Sequence, residues 1–275
     1  MLKENLGIAY ASSPLLEGID SMRHGFLTRI GGVSKGCFSS LNFDIRDGDD
    51  IGNVEQNKAV AGRVFCFEPI GLLTVNQVHG NDILAIEKPA KDLSALSKTD
   101  ADAIITNQGG LAIGVLTADC VPIILADHVK KIIGIVHAGW KGTVNGIAKK
   151  AIDAMIIKFG SDRKTIIAAI GPSIGPCCYK VDDVVAKEFV ERFSDYKDFI
   201  TPLHPPLSKG GRGDSGWRLD LKKANLNQML DSGILEKNIS VEDLCTSCRN
   251  DLFFSYRKDG KITGRQFNFI MLKGS

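Results

Sequence analysis

Between residues 103 and 172 the chain passes through short stretches that are almost wholly Ile, Val, Leu and Ala: AIITN at 103–107, LAIGVLTAD at 111–119, VPIILAD at 121–127, KIIGIVHAG at 131–139 and TIIAAIGP at 165–172. Runs of this length without polar alternation are the mark of strands covered on both faces. A further β-type run, LLTVNQVHG, lies at 72–80. Helical periodicity is scarcer. It is clearest at 143–159, where Val144, Ile147, Ala148, Ala151, Ile152, Met155, Ile156 and Phe159 share a face, with Thr143 as the expected N-cap and Gly160 as the stop. Shorter helices are expected at 181–193 and 221–232. Helices interrupt the strands without a regular βαβ rhythm, so the expected architecture is α+β: a single domain over 1–275 with a large mixed β-sheet flanked by helices.

Bulk properties narrow the partners. At 275 residues and 44% apolar the chain can bury a large core. Lys plus Arg number 34 against 32 Asp plus Glu, with no long basic run, so nucleic acid is not an expected partner. The N-terminal MLKENLGIAYASSPLLEGID has no signal-type apolar core, and no apolar stretch reaches roughly 18 residues, so a soluble, cytoplasmic protein with no membrane partner is expected. Seven cysteines are odd in number and dilute, which favours thiols or metal ligands over a disulfide framework. The Pro/Gly-rich segment TPLHPPLSKGGRGDSGW at 201–217 reads as a surface loop, and its RGD triplet at 212–214 as exposed polar chain rather than a receptor ligand.

Three residues with metal-capable side chains sit where apolar runs give way to loops. His79 ends one run, Cys120 lies between two, and His137 ends another before Ala138-Gly139-Trp140-Lys141-Gly142. Two imidazoles and a thiolate suit zinc and leave a fourth tetrahedral position open. The same residues also suit a cysteine nucleophile, Cys120 activated by His137 or His79, and spacing alone does not separate these readings from buried side chains satisfied by backbone. Asp119 could orient a ligand or act as a general base, although in an extended chain it would face away from Cys120. Two anion sites are expected. One is the glycine-rich HGFLTRIGGVSKGCFSSLNF at 24–43, with Arg29 beside Gly31-Gly32, a stretch that reads equally as a turn between strands. The other is Lys141 at a helix N-terminus. Cys177 and Cys178 read as packing residues, and Cys245 and Cys248 as a lone CxxC without a second pair at zinc-ribbon spacing. The segment 253–270 reads as two strands around an Asp259-Gly260 turn, projecting Arg257 and Arg265.

Taken together, HGFxTRxGGVSxG, NQVHG, DA-II-T, TADCVPI, HAGWKG, GPSIGPCCY and CTSCRNDLFFSYRKDG-TGR resemble the laccase-domain family over about residues 24–270. The resemblance implies that His79, Cys120 and His137 bind Zn2+, within a one-domain mixed-sheet α+β sandwich. Its implied activity is phosphorolysis of purine nucleosides (adenosine, inosine, guanosine, methylthioadenosine) by phosphate, with adenosine deamination in the same pocket. Arg29 and Lys141 would then hold phosphate and Asp119 would carry a proton, with a homodimer as the candidate assembly. Multicopper oxidation is discounted, because five histidines and no HxH pair are too few for such centres. The chain departs from the family at Lys141, where Arg is common, and at FDIRDGDD, where Arg46 replaces a His and is therefore left out of the catalytic set. The alternatives are a hydrolase that edits peptidoglycan precursors through Cys120 or the metal, and a non-catalytic zinc module.

Overall fold

The computed structural model describes residues 1–68, 71–89, 92–203 and 216–274. In chain order its strands are β1 (Leu2–Asn5), β2 (Ile8–Ala11), β3 (Met22–Leu27), β4 (Leu72–Leu73), β5 (Ile83–Ile86), β6 (Ala103–Thr106), β7 (Ala112–Thr117) and β8 (Val121–Asp127). There follow β9 (Ile132–Ala138), β10 (Ile166–Ile170), β11 (Lys180–Val181), β12 (Ile200–Pro202), β13 (Trp217–Leu219), β14 (Ile239–Val241) and β15 (Gln266–Leu272). They form two mixed six-stranded sheets, ordered β1-β2-β3-β15-β7-β4 and β14-β10-β8-β9-β6-β5, and a three-stranded β11-β13-β12 sheet. The expected mixed sheet with flanking helices is present, doubled: the apolar runs are divided between two large sheets.

Alternation along each run explains why the runs lack polar residues. In β8, Ile124 and Ala126 join Ile133 and Ile135 of β9 in a core shared with Ile113 and Val115 of β7 and Ile270 and Leu272 of β15, so one face of each large sheet packs on the other. The opposite faces are equally apolar. Val121, Ile123 and Leu125 meet Ile147, Ala151, Ile152 and Met155 of the Ile147–Phe159 helix and Leu221, Ala224 and Met229 of the Leu221–Asp231 helix. On the other outer face, Phe267, Phe269 and Met271 pack on Ala61, Val64 and Phe65 of the Ile51–Phe65 helix. The order is helix, sheet, sheet, helix.

Several local expectations change. The 143–159 helix is broken: Trp140–Val144 forms one short helix, Gly146 turns through φ 73°, and the long helix starts at Ile147. Thr143 is therefore no N-cap; its Oγ1 accepts from Asn225 Nδ2 (3.0 Å) and its carbonyl from Gln228 Nε2 (2.8 Å). The Ile51–Phe65 helix, capped by Asp50, escapes the periodicity argument because its buried face includes the polar Asn57. That amide donates to Ser34 Oγ (2.9 Å) and the Asn42 carbonyl (2.8 Å). At 253–270 only β15 is a strand, and Tyr256–Asp259 is a helical turn capped by Ser255. The ends of the expected 201–217 loop are strand, Thr201 and Pro202 in β12 and Trp217 in β13, with Pro202 opposite Trp217; residues 204–215, the RGD triplet included, lie outside the described residues.

His24 in β3 makes stability depend on pH. Its ring is 8% exposed, and Nε2 accepts the Ser13 N–H at 2.9 Å. Burial holds its pKa down at about 4, against 6.5 for a free side chain. The neutral ring favours the fold above pH 6.5, and this contribution is lost as the pH falls from 6.5 through 4, amounting to about 3 kcal/mol. His24→Gln keeps an acceptor near that position and should lose this dependence. Urea unfolding of both proteins between pH 7 and 4 checks it, and parallel curves would remove His24 from the acid response.

Candidate active site

Register brings the metal-capable side chains together. Pro122 of β8 lies opposite His137 of β9, which sets Cys120, two residues earlier, beside that ring at the β7–β8 turn. His79 arrives from the irregular chain before β5, in a left-handed conformation with φ 59°. The ligand-capable atoms of His79, Cys120 and His137 all lie within 4.8 Å of one another, and the two rings meet edge to face with centroids 4.8 Å apart. His137 is buried, Cys120 half-buried and His79 exposed, so the cluster is closed on one side and open on the other.

One carboxylate organises two of these residues. Asp102, fully buried just before β6, accepts His137 Nδ1 at 2.7 Å and the amides of Val78 (3.3 Å), His79 (3.1 Å) and Gly80 (2.6 Å). Its carbonyl accepts the His137 N–H at 2.7 Å. Burial alone would raise the Asp102 pKa, but His137 and the surrounding amides outweigh it and hold the carboxyl below its usual range. With Nδ1 turned to Asp102, Nε2 is the nitrogen left for a ligand. Burial likewise opposes ionisation of Cys120, yet His137 and His79 bring its thiol down to about 6. His137 is pulled up to about 9, because Cys120 and Asp102 overcome the penalty of burial.

These donors fit a tetrahedral metal ion. Ligand distances of about 2.0–2.3 Å imply edges of roughly 3.3–3.8 Å, which the three side chains, already within 4.8 Å of one another, reach by small rotations. Space is kept by Gly139, where a Cβ would stand 3.1 Å from His79 Cδ2 and 3.3 Å from Cys120 Sγ. The triad opens onto a cleft of about 570 Å3. Trp140, Tyr179 and Tyr256 supply aromatic surface there, and Arg46, Arg257 and Arg265 supply cations. Burial pushes the Tyr179 phenol above its usual range, so it stays a neutral hydroxyl.

Residues 23–273 match the family described as multi-copper polyphenol oxidoreductase laccase. The chain belongs to this laccase-domain family. It is 36% identical over 253 residues, covering 90% of this chain and 88% of the relative, to the purine nucleoside phosphorylase YlmD of Geobacillus stearothermophilus. The crystal structure of that YlmD superposes with a TM-score of 0.85, at 32% identity, covering 99% of this chain and 98% of the other. The Bacillus licheniformis protein YfiH superposes with a TM-score of 0.87, at 30% identity, over 99% of each chain.

The laccase-domain motifs distribute unevenly over the site. Those of His79, Cys120 and His137 converge, whereas the expected anion holders do not. Arg29 is absent from the cleft lining: its guanidinium donates to the carbonyls of Ser39 (2.7 Å) and Asn250 (3.1 Å) and lies over Phe254. The amides of Gly31 and Gly32 both turn to Ser40 Oγ at 3.2 Å, so the glycine-rich stretch is an internally bonded loop. Lys141 is exposed beside Trp140 and outside the lining, on a helix of only five residues. Asp119 lines the cleft with φ 92°, but Thr246 Oγ1 (2.6 Å) and the Arg257 amide (2.7 Å) donate to its two oxygens. Arg46, set aside in the sequence reading, does line the cleft, its guanidinium gripped by Asp44 at 2.8–3.0 Å. Asp102 was missed, although an acid directly heading the apolar AIIT run signals a buried carboxylate in need of partners.

Proposed function

We propose that this chain is a zinc-dependent purine nucleoside phosphorylase that also deaminates adenosine. The observation that carries the reading is the His79–Cys120–His137 cluster at a cleft combining aromatic faces with three arginines. The relatives named purine nucleoside phosphorylase support it. Two imidazoles and one thiolate with an open side favour zinc among the common metals. Zinc held there would supply a Lewis acid and bring the pKa of a neighbouring water toward about 7.

The chain's own residues account for the rest. Trp140, Tyr179 and Tyr256 offer faces for a purine. Arg46, held by Asp44, Arg257, held by the Cys178 and Lys180 carbonyls, and Arg265, held by the Thr263 and Gly264 carbonyls, turn their remaining N–H groups to the cleft, where they bind phosphate through charge-assisted hydrogen bonds and place it for attack at C1′ of the ribose. The C–N glycosidic bond breaks as an oxygen of hydrogen phosphate bonds to C1′, giving ribose 1-phosphate and free purine, whose leaving nitrogen takes the proton that the phosphate gives up. Asp119, which accepts from Thr246 Oγ1 and the Arg257 amide, positions Arg257, and Arg29 and Lys141 do not line the cleft. Deamination needs water at C6 in place of phosphate at C1′, and releases ammonia.

Adenosine with phosphate should therefore yield adenine and ribose 1-phosphate, and without phosphate only inosine. Arg46→Gln is the cleanest cation to remove, because its side chain is half exposed. It should raise the phosphate KM by about 10–100-fold and leave phosphate-free deamination near its original rate. An equal fall in both reactions would contradict the division of roles. A second reading rests on the Cys120 thiol at about 6: a cysteine hydrolase acting on cell-wall precursors. Metal removal separates the two, since a thiol nucleophile survives chelation.

A further inference from the structure

Cys177, Cys178, Cys245 and Cys248 come from two loops 67 or more residues apart in sequence, yet their sulfurs all lie within 4.8 Å of one another. By sequence alone they are two packing residues and a lone CxxC. The loops are stitched side by side: Ser173 N–H donates to the Leu244 carbonyl (3.4 Å) and Thr246 N–H to the Ser173 carbonyl (3.1 Å). We infer that these four cysteines form a second metal site, a closed tetrathiolate that takes zinc as a structural ion.

Four observations carry this. A tetrahedral zinc with Zn–S of about 2.3 Å sets its sulfurs about 3.8 Å apart. Cys248 Sγ lies 3.5 Å from Cys177 Sγ and 3.4 Å from Cys178 Sγ, so it is shared between two partners instead of being committed to one as in a disulfide. Second, the Gly175 amide donates to Cys245 Sγ at 3.2 Å, and the Cys248 amide faces the same sulfur, the type of bond that supports a thiolate. Third, Gly175 lets the loop lie close on the cluster, since a Cβ there would come within 3.3 Å of Cys177 Sγ and of Cys245 Cβ. Fourth, four thiolates around a divalent ion leave a net negative charge, and two guanidinium groups are bonded to the backbone of the loop that carries Cys177 and Cys178. Arg218 donates to the carbonyls of Pro176 (3.0 Å) and Cys177 (2.7 Å), and Arg257 to that of Cys178 (3.2 Å).

With all four positions filled by protein the ion has no place for substrate, so its role is to hold structure. What it holds is one wall of the cleft: Tyr179 follows Cys178 directly, and Arg257 bridges Cys178 to Asp119. The site is independent of the His79–Cys120–His137 assignment, and metal counting keeps the two apart. Protein purified under reductant without chelator should hold about two zinc ions per chain by native mass spectrometry. Cys248→Ser should hold one, His137→Ala should hold one, and the double variant none. A wild-type protein with a single zinc that Cys248→Ser keeps and His137→Ala loses would overturn the proposal, as would iron in place of zinc. A single zinc lost only in Cys248→Ser would uphold it and count against the catalytic site alone. Should Cys248→Ser fail to fold, cobalt-substituted His137→Ala decides: tetrahedral d–d bands with strong sulfur-to-cobalt charge transfer are expected, and their absence refutes the site.

Discussion

Cys120→Ser should remove the metal of the His79–Cys120–His137 cluster and with it nearly all turnover, while the fold survives. Serine has almost the same shape, but its hydroxyl is a hard donor that stays protonated where the thiol ionises at about 6. Loss of a direct ligand should weaken metal binding by more than the 10–100-fold that removal of a hydrogen-bonded outer partner typically costs. The half-buried turn carrying Cys120 has β8 and β9 directly behind it, so the sheet pairing from Val121 onward does not depend on the sulfur. Metal content per chain by native mass spectrometry, and thermal melting, check the two halves separately. Retention of metal by Cys120→Ser would strike the residue from the ligand set, and loss of activity with metal retained would favour the nucleophile reading.

The second large effect is expected at Asp102. Replacing this buried carboxylate with Ala leaves three part-buried backbone amides and the buried His137 Nδ1 without their acceptor, and loss of the buried His137 partner alone should cost about 3–5 kcal/mol in stability. Asp102→Asn preserves volume and one acceptor oxygen but replaces the charge with an amide. It should melt closer to the parent, and its metal affinity should still fall by about 10–100-fold in chelator competition, because His137 is no longer oriented by a carboxylate. That separation between melting and affinity is what distinguishes a positioning residue from a merely structural one. If Asp102→Asn bound metal as tightly as the parent, the carboxylate would serve only to gather the loop at 78–80.

How much of this was legible in advance follows from the range of the interactions involved. The apolar runs at 103–107, 121–127 and 131–139 became β6, β8 and β9 because each strand is buried on both faces, and that is written locally as the absence of polar alternation. The metal-capable trio was legible too, since His79, Cys120 and His137 each stand at the end of such a run. The short helix Trp140–Val144 and the break at Gly146 were obscured by apolar residues continuing at helical spacing across a turn. The surroundings of the expected anion holders were not legible for a different reason: glycine, arginine and lysine are equally suited to a ligand or to neighbouring carbonyls, and only the packed chain shows Arg29 turned to Ser39 and Asn250.

Sequence by itself thus determined strand content, mixed architecture and the identity of the metal-capable side chains, because these depend on residue type and short-range pattern. Tertiary structure alone decided the rest. It placed β15, from the end of the chain, between β3 and β7, and so divided the strands into two sheets. It set Asp102 behind His137, 35 residues away, and gathered Cys177 and Cys178 with Cys245 and Cys248. Such meetings depend on which sheet edges pair and which loops share an end of the sandwich, and the free energy that selects them is spread over the whole core instead of residing in any local stretch.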